Sequence, residues 1–147
     1  MTDASLPIEY TIEVRDRCLC VRAQRAARTL ARRFDEALKP HGLTNGQFSL
    51  LMSLNRPETP RIGELAEFLA MDRTTITAAL KPLERRGLVT ISRDRKDARN
   101  RRPALTDSGR QILREALPIW RKTHDAIDKS ISPLPPEDLR HALDALV

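Results

Sequence analysis

Apolar residues recur at three- and four-residue steps along most of the chain, and Gly and Pro cut that rhythm into helical blocks. From about Ile8 to Leu38 there is no Gly or Pro, and Val14, Cys18, Val21, Leu30, Phe34 and Leu38 keep helical spacing, which predicts one long helix stopped by Pro40, His41 and Gly42. Thr44 and Gln47 form a capping-box pattern ahead of Phe48, Leu51 and Leu54, so a second helix starts there. Ile62, Leu65, Ala66 and Leu69 make the inward side of a third, with Glu64 and Glu67 outward. Asp72 caps a fourth that runs to about Arg86 on a stripe of Ile76, Leu80 and Leu83, with a bend expected at Pro82. Gly87 ends it, Leu88–Ser92 alternates like a strand, and Arg102–Leu105 returns with Pro103 confined to a sheet edge. Thr106 opens a fifth, long helix that passes Ile112, Leu113, Leu117, Ile119 and Trp120 toward Ile131 and should bend at Pro118. Pro133–Pro136 breaks the chain before a sixth helix, Glu137–Val147, with Leu139, Leu143 and Leu146 on one side.

The order of helix, strand, charged hairpin and strand predicts a mainly α protein with a small β-hairpin wing. Residues 44–106 would form a winged helix-turn-helix DNA-binding region, and 1–43 with 107–147 a helical dimerisation region. The long end helices carry apolar faces that so small a centre cannot cover, and pairing with a second copy buries them.

Charge narrows the partner. With 26 Lys and Arg against 20 Asp and Glu, the chain carries +6, and its pI is near 10.0, which favours a polyphosphate. Aromatics are 3% of residues, too few for a single-strand binder that stacks bases, so duplex DNA is the expected partner. The outward side of the fourth helix holds Arg73, Thr74, Thr75, Thr77, Ala78 and Lys81, whose short hydroxyls and methyls allow close approach to base edges in a major groove, while Arg73 reaches a guanine or a phosphate. The hairpin tip crowds Arg93, Arg95, Lys96, Arg99 and Arg101 around Asp94 and Asp97. Asp97 is expected to orient Arg99 for a narrow minor groove. Arg22, Arg25, Arg28 and Arg32 make a further basic stripe at helical spacing, which reads as a solvated face.

Other classes find little support. His41, His124 and His141 stand alone, with no metal-ligand spacing, nucleophile elbow or Gly-rich phosphate loop, so neither catalysis nor a metal or other cofactor is expected. No apolar run approaches the roughly 20 residues a bilayer needs, and no signal-peptide pattern opens the chain, which predicts a cytoplasmic protein off the membrane.

The segment IGELAEFLAMDRTTITAALKPLERRGLV, with Asp97-x-Arg99 and then Leu105-Thr106-x-x-Gly109, resembles the MarR family of bacterial transcription regulators. The resemblance implies a nucleoid-associated homodimer joined through the first, fifth and sixth helices, binding a pseudo-palindromic operator. The fourth helix would read the major groove and Arg99 the flanking minor groove. It also implies a repressor released by a small aromatic ligand or an oxidant. For the ligand, Phe34, His41, Phe48 and Trp120 are candidates to line a pocket between the first, second and fifth helices. For the oxidant, LCVRAQ around Cys20 is similar to the organic-peroxide-sensing branch, although Gln24 and Phe34 stand where that branch has tyrosines, leaving Arg22 or Arg25 to activate the thiol. Cys18 and Cys20, on one helix, would project about 200° apart and could not bond to each other within it. A sequence-neutral architectural DNA protein is the alternative, since charge gives affinity without specificity.

Overall fold

The computed structural model describes residues 5–147, so residues 1–4 of the expected end region lie outside the described part. Its helices are α1 (Ile8–Arg17), α2 (Leu19–Leu38), α3 (Asn45–Ser53), α4 (Ile62–Phe68), α5 (Arg73–Arg85), α6 (Asp107–Ser130) and α7 (Pro136–Asp144). Strands β1 (Val89–Arg93) and β2 (Arg101–Leu105) lie between α5 and α6.

The expected first helix is two helices. Cys18 interrupts it in an extended conformation (ψ 105°), and its Sγ accepts the Val21 N–H at 3.4 Å, so a cysteine does the work of an N-cap for α2. Apolar spacing runs on unbroken across this point, and no Gly or Pro marks it. Because Cys18 lies outside both helices, the angular argument that separated it from Cys20 does not hold.

The other boundaries follow side-chain caps. Thr44 Oγ1 accepts the Gln47 N–H and Gln47 Oε1 accepts the Thr44 N–H, both at 3.1 Å, closing the capping box of α3. Asp35 Oδ1 accepts the Asn45 N–H at 2.6 Å and ties α2 to α3. The turn after α4 places Ala70 at φ 51°, with the Met71 N–H bonded to the Ala66 carbonyl and the Ala70 N–H to that of Glu67. Asp72 caps α5, which continues as a helix through Pro82, as α6 does through Pro118.

One core joins the end of α2 to the first half of α6. Phe34, Leu38, Leu51, Leu65, Ile76, Leu80, Leu83, Val89, Leu105, Leu113 and Ala116 are all buried in it. The hairpin pairs antiparallel, Val89 with Leu105 through Arg93 with Arg101, and Pro103 is fully buried opposite Ile91. The Leu105-Thr106-x-x-Gly109 pattern has a physical reason here. Thr106 Oγ1 accepts the Gly109 N–H at 3.0 Å and donates to the Gly87 carbonyl at 2.7 Å. A Cβ on Gly109 would stand 2.1 Å from the Leu88 carbonyl oxygen, so only glycine lets α6 begin this close to the root of the hairpin.

Candidate nucleic-acid interface

Arg73, Thr74, Thr75, Thr77, Ala78 and Lys81 are all exposed on α5, while Ile76, Leu80 and Leu83 anchor its other side. Asp72 Oδ1 accepts the Thr75 N–H at 2.8 Å and Oδ2 accepts the Thr75 hydroxyl at 2.7 Å. The hydroxyl bond first and the backbone bond second hold the Asp72 carboxyl below its ordinary pKa, against the smaller opposing effect of desolvation. The Thr77 hydroxyl donates to the Arg73 carbonyl at 2.8 Å. Two of the three threonine hydroxyl protons are therefore committed inside the helix. Thr75 and Thr77 present a methyl group and an acceptor oxygen outward, and among the described residues nothing takes the Thr74 hydroxyl proton.

The wing is built around an aspartate whose role the sequence did not disclose. Asp94 is buried; it accepts the Lys96 N–H at 2.8 Å and Arg102 Nε at 2.9 Å. The Lys96 N–H is the main reason its pKa is lowered, burial opposes, and Arg102 adds to the lowering. Arg102 also donates to the Thr59 carbonyl, so the root of the wing is fastened to the loop ahead of α4. The signal available was an acidic residue closing one strand beside an Arg on its partner; reading it required the register.

Asp97 corrects an expectation. It does not pair with the Arg99 guanidinium; its Oδ1 accepts the Arg99 backbone N–H at 3.0 Å and its carbonyl accepts the Asn100 N–H at 2.9 Å. A carboxylate two residues away reaches the backbone amide of a tight turn more readily than the end of a long side chain. The turn is thus ordered while Arg93, Arg95, Lys96, Arg99 and Arg101 remain exposed and, among the described residues, free of ion pairs. Arg73 of α5 and Asn100 of the wing line one hollow of about 290 Å³ with Arg61, Gly63, Glu64 and Glu67, so the helix start and the wing tip are neighbours.

The four candidate pocket residues are not brought together as a lining. Phe34, Phe48 and Trp120 form an aromatic cluster, with Trp120 6.4 Å from Phe34 and 6.1 Å from Phe48. His124, which sequence reasoning missed, joins it 4.5 Å from Trp120. His41 lies apart, its Nδ1 3.9 Å from Glu115 Oε2. A hollow of about 450 Å³ opens between α3, the end of α4 and α6, lined by Phe48, Met52, Arg56, Phe68, Leu117 and Trp120 among others. It excludes Phe34, which is buried behind Trp120 in the core, and its place between α3, α4 and α6 differs from the expected one against the first helix.

Cys20 is exposed, and Gln24 Nε2 lies 3.3 Å from its sulfur as a donor. Arg22, a candidate activator, instead donates to the Asp16 carbonyl at 2.9 Å. No helix of the described residues is long and apolar enough to cross a membrane.

The sequence profile of the MarR family matches residues 43–100. SarZ, an HTH-type transcriptional regulator of Staphylococcus epidermidis, is 31% identical over 94 residues, a match spanning 64% of this chain and 64% of SarZ. The transcriptional activatory protein BadR of Rhodopseudomonas palustris is 32% identical over 97 residues, spanning 64% of this chain and 55% of BadR. The chain therefore spans a little under two thirds of the length of SarZ and just over half that of BadR. Among solved structures, the M. tuberculosis transcriptional regulator MosR, in a complex with DNA, superposes with a TM-score of 0.80 at 36% identity, over 88% of this chain and 92% of that one. Profile, relatives and fold agree over the helix, turn and wing that the sequence singled out: the chain belongs to the MarR family.

Proposed function

We propose that this chain is a homodimeric, sequence-specific regulator of transcription that binds duplex DNA, with α5 in the major groove and the wing arginine Arg99 in the flanking minor groove. The observation that carries the reading is the shared hollow of Arg73 and Asn100, which sets the exposed start of α5 beside the turn of the wing. The likeness to MosR, a protein solved with DNA, supports it. The exposed apolar faces of α1 and α7 support the dimer, which would set two such surfaces on a pseudo-palindromic operator. Such a protein works in the cytoplasm at the nucleoid.

We assign it as a repressor that a small aromatic ligand releases by entering the hollow beside Phe48 and Trp120, whose volume suits such a molecule. A panel of aromatic acids read by Trp120 fluorescence tests this; no response in emission or melting across the panel excludes it. Oxidation is a second release signal, favoured by the exposure of Cys20 and the Gln24 donor beside its sulfur. If Cys20→Ser protein leaves DNA under peroxide as readily as wild type, that reading fails.

DNA contact itself is tested by comparing Arg99→Ala with Arg73→Ala. Loss of the wing arginine weakens binding to every duplex and flattens the salt dependence, whereas loss of Arg73 also relaxes sequence preference. Equal effects of both changes on all duplexes would support the architectural alternative.

A further inference from the structure

Arg73 is exposed and, among the described residues, makes no hydrogen bond or ion pair through its guanidinium, yet its position is not arbitrary. A Cβ built on Gly63 would lie 2.7 Å from Arg73 Nη2, 3.2 Å from Cζ and 3.3 Å from Nε. The guanidinium therefore rests on the bare backbone of the first turn of α4, in space that any other residue at 63 would fill. Gly63 has no left-handed φ, so its conformation does not call for glycine, and in a helix glycine is the less stable choice than alanine. The two carboxylates nearby do not claim the cation. Glu64 accepts the Arg61 N–H at 2.7 Å and lies 3.3 Å from the Arg61 guanidinium, and Glu67, which lines the same hollow, closes no ion pair among the described residues.

We propose that Gly63 is a positioning residue for DNA binding: its missing side chain is the seat that holds the unpaired Arg73 guanidinium beside Asn100 of the wing, ready for an acceptor on the duplex. A long Arg side chain loses much rotamer entropy when it is fixed, and a seat formed before binding reduces that loss. The acceptor is a guanine edge or a phosphate oxygen, and both present the paired lone pairs that a guanidinium fork fits. The inference rests on the reading of α5 as a DNA-contacting helix.

The test uses full-length wild type, Gly63→Ala, Arg73→Ala and the double variant, with a duplex recovered by selection from a random pool and its scrambled counterpart. The atoms that a Cβ would meet are the far end of a flexible side chain, so Gly63→Ala displaces the guanidinium and leaves the fold intact. Its melting temperature is expected to be unchanged or raised, while binding weakens about threefold or more; in the Arg73→Ala background the same change adds nothing. A guanine acceptor confines the loss to the selected duplex, whereas a phosphate spreads it over both and lowers the salt slope by about one. Wild-type binding by Gly63→Ala, when Arg73→Ala binds more weakly, overturns the seat alone. So does a loss that persists in the double variant. Wild-type binding by Arg73→Ala overturns instead the placement of Arg73 at the DNA.

Discussion

The head, from Phe34 to Ala116, and the terminal arms α1 and α7 are built on opposite principles. Between Phe34 and Ala116 each helix and strand contributes to one closed core, and Leu38, Leu51, Leu65, Ile76, Leu80 and Leu83 are wholly removed from solvent. In α1 and α7 nothing is buried. Ile8, Tyr10 and Val14 are 63%, 55% and 60% exposed, and Leu143 and Leu146 are 48% and 65% exposed. The head closes its own core; the arms keep an amphipathic pattern whose apolar side is satisfied only by another surface, which the proposed dimer supplies.

The contrast breaks most visibly in the core. Leu80→Ala, at a fully buried site, should cost about 2–5 kcal/mol and lower the melting temperature at every protein concentration. Next comes Gly109→Ala, where the added methyl meets a backbone carbonyl that has no rotamer to adopt, with an expected loss of about 1–3 kcal/mol in denaturant melts. Ala70→Gly works in the other direction: relief of its left-handed backbone should stabilise the head by up to about 1 kcal/mol, less the entropy glycine gains when unfolded. In the arms, Leu139→Ser with Leu143→Ser should change the stability of the monomer by less than about 0.5 kcal/mol while shifting sedimentation from dimer to monomer. A large loss of monomer stability instead would place α7 in the head's core.

The acid response is the smallest effect and bears on the root of the wing. Asp72 and Asp94 both have folded pKa values below their ordinary ones. Their contribution is complete above the ordinary aspartate value and is lost as pH falls through the lowered folded values. Stability of wild type should therefore decline on acidification through that window, and Asp94→Asn should decline less steeply in a pH series of denaturant melts. Identical slopes would deny the aspartate its role at the wing root.

Much of this was legible in the residues themselves. The caps at Thr44, Asp72 and Thr106 act within three residues of their own position, so local sequence shows them directly. The strands and their basic tip were equally plain from alternation and charge. What escaped depends on contacts made across the fold. The break at Cys18 carries no Gly or Pro, and an N-capping sulfur is not a pattern that periodicity reports. The tie from Arg102 to Thr59 spans 43 positions, and the seat under Arg73 spans α4 and α5. The aromatic residues were found, but which of them would face a hollow and which the core was settled by packing between α2, α3 and α6.

Sequence-specific recognition by α5 is tested by anisotropy of the full chain at physiological salt, on a duplex selected from a random pool and on its scrambled counterpart. A preference of about a thousandfold for the selected duplex, bound as a dimer, is expected. Equal affinity for the two would contradict sequence-specific reading by α5 and leave a protein that holds DNA by charge alone.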